Sequence, residues 1–101
     1  MYTYQAKVKR VVDGDTVDLD VDLGFHVIIR LRGRLIDVDT PERGHQDWAR
    51  ATETLERLLK EQEDKEGYIT ISTAKTGKYG RWLIDIDDVN TVLAREWPYE
   101  R

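Results

Sequence analysis

The chain has 101 residues, and its 16 basic and 20 acidic side chains leave a net charge of −4. That length suits a single domain, 1–101, with one modest core, and no run of about 18 apolar residues is available to span a bilayer. The acidic balance excludes nucleic-acid binding by bulk charge, so any such binding has to be local, and the absence of cysteine excludes disulfides and thiolate metal sites.

From Tyr2 to Val12 the chain is β-rich but alternates imperfectly. Asp13-Gly14 then interrupts it with a strong hairpin signal. Val17, Leu19 and Val21 alternate with Asp18, Asp20 and Asp22, which predicts a second strand with one buried and one wet face. Leu23-Gly24 turns the chain into a third strand, expected over 26–38, with Gly33 as the place for a bulge or kink. The period becomes helical at Trp48: Trp48, Ala51, Leu55, Leu58 and Leu59 fall on one side as far as Gln62, with Glu53/Arg57 and Glu56/Lys60 as outer i,i+4 pairs. Residues 68–73 and the alternating Trp82, Ile84 and Ile86 predict two more strands, and Val89, Val92 and Leu93 a short last helix. Three strands, a helix, two strands and a final helix form the order of an OB-fold: a β-rich α+β, five-stranded Greek-key barrel with its helix between strands 3 and 4.

The chemistry concentrates in Arg34 to Glu42. Asp39, Thr40 and Glu42 offer oxygen ligands suited to a hard cation, Pro41 stiffens the turn between them, and Arg34 carries a planar fork matched to phosphate. Two ordinary readings compete. Asp39-Thr-Pro-Glu42 also fits a helix cap and capping box, although Gly44 and the polar residues after it argue for a loop. Arg30, Arg32 and Arg34 also fit the wet face of a strand. His26 and His45 are too few and scattered for a zinc centre and are expected at the surface or rim.

Three segments, Asp13-Gly14-Asp15-Thr16, Arg34 through Glu42, and Lys78-Tyr79-Gly80-Arg81, occur in this order around the OB-like pattern. Together they resemble the staphylococcal nuclease (thermonuclease) family from about Val8 to Leu93, Val89-Asn90 included. The resemblance implies Ca²⁺ ligands at Asp15, Asp39 and the backbone oxygen of Thr40, and catalytic roles for Arg34, Glu42 and Arg81. It further implies phosphate contacts from Lys78 and Tyr79, and a supporting acidic position at Asp13. The implied activity is hydrolysis of DNA or RNA that leaves 3′-phosphate ends. Such chemistry needs an aligned water and an offset for charge growing on the phosphate, which a cation and two guanidinium groups provide.

The sequence departs from the family in its short loop 43–47 and in a chain that runs only a few residues past Trp97-Pro98-Tyr99. Trp97 and Tyr99 are candidates for stacking on a base, but packing is the favoured role for each. A further tension is geometric: Arg34 and Asp39 lie five residues apart, about 16 Å along a straight strand and on opposite faces. The competing functions are a non-catalytic OB module binding nucleic acid or protein, and a structural calcium-binding domain that leaves both arginines unexplained. The expected partner is nucleic acid rather than membrane, and the expected state a monomer. The first residues lack the apolar core of a secretion signal, so the expected location is cytoplasmic, or secreted if a leader has been removed.

Overall fold

The computed structural model describes residues 2–76 and 82–98. Its strands are β1 (Tyr2–Asp13), β2 (Thr16–Asp22), β3 (Ile28–Leu35), β4 (Ile69–Thr76) and β5 (Trp82–Ile86). Helix α1 (Trp48–Gln62) lies between β3 and β4, and α2 (Val89–Glu96) follows β5. The strands close a barrel in the order β1-β2-β3-β5-β4, with β1 pairing β4 to complete the circle and only β3 and β5 parallel. This is an OB-fold, as the order of elements predicts.

Alternation sets the inside of the barrel. Val17, Leu19 and Val21 of β2 are fully buried with Ile69, Ile71, Ile84 and Ile86, while the intervening aspartates of β2 face outward. The imperfect pattern of β1 has a local cause: register shifts between Val8 and Arg10 and between Val11 and Asp13 let Val8 and Val11 both pack on the core. Gly33 is not a bulge, because β2 and β3 pair without a shift from Thr16↔Arg34 to Asp22↔Ile28. A Cβ there would stand 2.7 Å from the Ile84 Cδ1 atom, so the glycine makes room for a core side chain.

β3 is also shorter than expected. Phe25 and His26 adopt positive φ in the preceding turn, and Asp37 does so after Leu35, so Ile36 and Val38 lie beyond the end of the strand. Helix α1 begins at Trp48 behind Asp47 and buries Ala51, Leu55, Leu58 and Leu59 across the barrel end at the Gly14 turn. On its outer side Arg57 pairs with Glu61 (3.3 Å) and Lys60 with Glu63 (3.2 Å), not with Glu53 and Glu56 as the spacing suggests. Exposed pairs of this kind contribute little stability. Asn90 of α2 accepts from Ile86 N and donates to Ile36 O and Ile84 O, which ties the helix to β5 and to the turn after β3.

Candidate active site

Two backbone turns build the site. The Asp13-Gly14 hairpin joins β1 to β2, with Asp13 opposite Thr16, and the left-handed Asp37 folds residues 38–40 back toward it. Leu35 N donates to Asp15 O (2.8 Å), and Thr40 N donates to Asp15 Oδ2 (3.2 Å), so the turns are hydrogen-bonded to each other. Gly14 permits their close approach, since a Cβ there would lie 2.7 Å from Thr40 Oγ1 and 2.9 Å from Ala51 Cβ.

Arg34 sits at the centre. Its Nη1 donates to Val38 O (2.6 Å) and lies 3.2 Å from Asp15 Oδ2, while Nη2 lies 3.7 Å from Asp39 Oδ1. The 16 Å tension in the sequence is thereby removed: the strand ends at Leu35, and the turn returns Asp39 to the guanidinium. Arg30 and Arg32 behave differently. Each makes a bidentate pair with a β2 aspartate, Arg30 with Asp20 and Arg32 with Asp18. The hydrogen bond from Arg32 holds the Asp18 carboxyl below the usual carboxylate range, and Arg30 does the same for Asp20. The wet-face reading therefore holds for two of the three arginines, and Arg34 alone reaches Asp15 and Asp39.

A polar cleft of about 540 Å³ collects Asp13, Asp15, Arg34, Asp39, Thr40 and Glu42, together with Arg10, Arg32 and Arg43. Glu42 is exposed, and its side chain has no hydrogen bond or ion pair among the described residues. Its carbonyl accepts from His45 N (3.0 Å) in a turn that precedes the helix. Asp39-Thr-Pro-Glu42 is thus not the cap of α1, whose flanking residue is Asp47. Asp13 accepts a hydrogen bond from Trp48 Nε1 at 2.6 Å, and Arg43 lies 4.9 Å over the Trp48 ring. Helical spacing alone places Trp48 on the core face, and no sequence motif marks Arg43 or Arg10. The available signal is a tryptophan at a predicted helix start, whose indole N–H needs an acceptor once buried. Trp97 is buried, with Arg50 lying 5.0 Å over its ring, so it packs. Lys78, Tyr79, Arg81 and Tyr99 lie outside the described residues.

The carboxylates of Asp15 and Asp39 and the Thr40 carbonyl supply hard oxygen donors of the kind Ca²⁺ takes. Asp15 Oδ1 accepts from Thr16 Oγ1 (2.9 Å) and keeps a lone pair, while Oδ2 accepts from Thr40 N and faces Arg34 Nη1. Thr40 Oγ1 is buried with no partner among the described residues. The set is sparse: no group of three or more acidic or histidine ligands converges among the described residues. A cation held there would depend on carbonyl, water and phosphate oxygens for the rest of its shell.

Compared with models of protein families, the chain matches none. It is 32% identical to a micrococcal nuclease of Shigella flexneri over 95% of this chain and 59% of that protein. It is 31% identical to Protein ParB of Escherichia coli over 96% of this chain and 49% of that protein. The chain thus spans about half the length of the curated relatives it matches.

Proposed function

We propose that the chain is a divalent-metal-dependent nuclease that hydrolyses phosphodiester bonds of DNA or RNA and leaves 3′-phosphate ends. The observation that carries this reading is Arg34, whose fork joins Asp15, Asp39 and the Val38 carbonyl at a cleft that also holds Glu42. Similarity to a micrococcal nuclease over nearly the whole chain supports it.

In this reading Asp15, Asp39 and the Thr40 carbonyl hold Ca²⁺. When bound, the ion offsets negative charge on the phosphate. Arg34 turns its remaining N–H groups to the non-bridging oxygens, where its planar fork stabilises charge that grows toward the transition state. Arg81 supplies a second guanidinium, and Lys78 and Tyr79 hold a neighbouring phosphate, as the family resemblance implies. Glu42 has no competing partner among the described residues and is free to orient a water or take its proton. The water oxygen bonds to phosphorus, the bond to the 5′-oxygen breaks, and that oxygen leaves with a proton as a hydroxyl. Asp13, fixed by Trp48, supports the Gly14 turn that presents Asp15.

The competing reading is a non-catalytic OB module. The outer face of β2 and β3, where OB-folds bind oligonucleotides, here carries the self-paired Arg30–Asp20 and Arg32–Asp18 rows, and this weakens it. Incubating the chain with labelled single-stranded DNA, double-stranded DNA and RNA, with Ca²⁺ or with chelator, separates the two. The nuclease reading predicts Ca²⁺-dependent cleavage, and the module reading predicts retention of intact nucleic acid.

A further inference from the structure

The barrel end opposite the Gly14 turn carries an apolar surface unrelated to the cleft. The strand ends there leave a pocket of about 510 Å³ whose walls include Tyr4, Ile29 and Leu31. Tyr2, Leu23 and Trp82 stand partly exposed at its rim, and Phe25, Val27 and Ile28 are exposed on the adjoining β2–β3 tip. All the large apolar side chains exposed among the described residues belong to this one end. Phe25 is 99% and Tyr2 74% exposed. The tip that presents Phe25 is fixed: Leu23 N donates to Val27 O, Val27 N to Gly24 O and Gly24 N to Asp22 Oδ1. Phe25 and His26 take left-handed backbone conformations there, which are unfavourable for such side chains.

We propose that this end of the barrel is a homodimer interface, in which two copies meet about a two-fold axis and the Phe25 of each seats in the barrel mouth of the other. Two observations select a second copy. First, a two-fold interface must be self-complementary, and here a projecting aromatic ring and an apolar hollow occupy the same patch. Second, with about 200 Å² for a fully exposed aromatic side chain, the patch amounts to roughly 600 Å². That approaches the ~800 Å² per partner of a standard interface. Arg30 and Arg32 of β3 are neutralised by Asp20 and Asp18, so two copies approach without charge repulsion. No residue of this surface lines the cleft around Asp15 and Arg34.

Sedimentation velocity over a concentration series, without nucleic acid, tests this independently of the nuclease reading. The expected result is a reversible species of twice 11.8 kDa with a Kd on the order of 10 µM. Phe25→Asp and Ile28→Asp each raise that Kd by about tenfold or more. Both positions are exposed, so the variants keep the wild-type circular dichroism, and Glu53→Lys on the outer side of α1 leaves the Kd unchanged. A wild-type chain that stays monomeric at all concentrations overturns the proposal, whatever else it then binds. So does a dimer that survives both substitutions unchanged.

Discussion

The guanidinium of Arg34 stands 3.2 Å from Asp15 Oδ2, while the same oxygen accepts from Thr40 N, 25 residues along the chain. One arginine thus links a hairpin turn to the end of a neighbouring strand. Because Arg34 and Asp15 are both largely buried, the pair serves stability as well as chemistry. Arg34→Ala leaves Asp15 with an uncompensated charge and is expected to cost about 1–3 kcal/mol in urea unfolding. Turnover falls by ~10² or more, because the fork that meets the phosphate is lost. Arg34→Lys keeps the charge but not the planar geometry. It recovers most of the stability and little of the turnover.

Gly14 is the contact point of three segments. A methyl group there meets Thr40 Oγ1 at 2.7 Å and Ala51 Cβ at 2.9 Å, so Gly14→Ala pushes the two turns apart. A loss of about 1–3 kcal/mol in thermal or denaturant unfolding is expected, with a fall in activity larger than the lost folded fraction.

Trp48→Phe tests the support beneath Asp13. A smaller aromatic ring is kept while the 2.6 Å donor to the Asp13 carboxylate is removed. The expected cost is about 1.5–3 kcal/mol by urea unfolding, the range for hydrogen bonds to charged groups. Asp13→Asn, which retains an acceptor oxygen, costs less.

The arginine–aspartate rows give a pH signature. Asp18 titrates below its ordinary value of 3.8 in the folded state because Arg32 hydrogen-bonds the carboxylate. Its contribution is therefore present above the unfolded value and is lost as pH falls through the folded value. Asp18→Asn is expected to destabilise the protein at pH 7 by about 1 kcal/mol or less, since the pair is exposed. The difference from wild type should shrink below pH 4 in urea unfolding carried out across that range.

Much of the fold is legible because local rules and burial agree. Alternation in β2, Asp13-Gly14 as a hairpin and the apolar stripe of α1 all mean in the structure what they mean in the sequence. The misreadings arise where tertiary contacts override a local pattern. The apolar Ile36 and Val38 suggest a longer β3, but hydrogen bonds from Ile36 N to Ile84 O and from Leu35 N to Asp15 O draw the chain into a turn at Asp37. Gly33 looks like a kink and is a space for Ile84. Arg30, Arg32 and Arg34 share one period, and only the position of Asp15 relative to Asp18 and Asp20 separates their roles. Trp48 fits the apolar stripe of its helix, yet its polar edge is committed to Asp13, a partner 35 residues away. The residues of Lys78-Tyr79-Gly80-Arg81 rest on the family resemblance alone.

Glu42→Gln separates hydrolysis at this cleft from binding without chemistry. The substitution keeps the shape of the side chain and removes its charge and basicity. Single-turnover cleavage of end-labelled single-stranded DNA in Ca²⁺ is compared with binding of the same strand in chelator. The expected result is a fall in rate of ~10² or more, with affinity nearly unchanged and with 3′-phosphate ends on the wild-type product. A Glu42→Gln protein that cleaves at the wild-type rate, or a wild-type chain that binds the strand and leaves it intact in Ca²⁺, would contradict hydrolysis at this cleft.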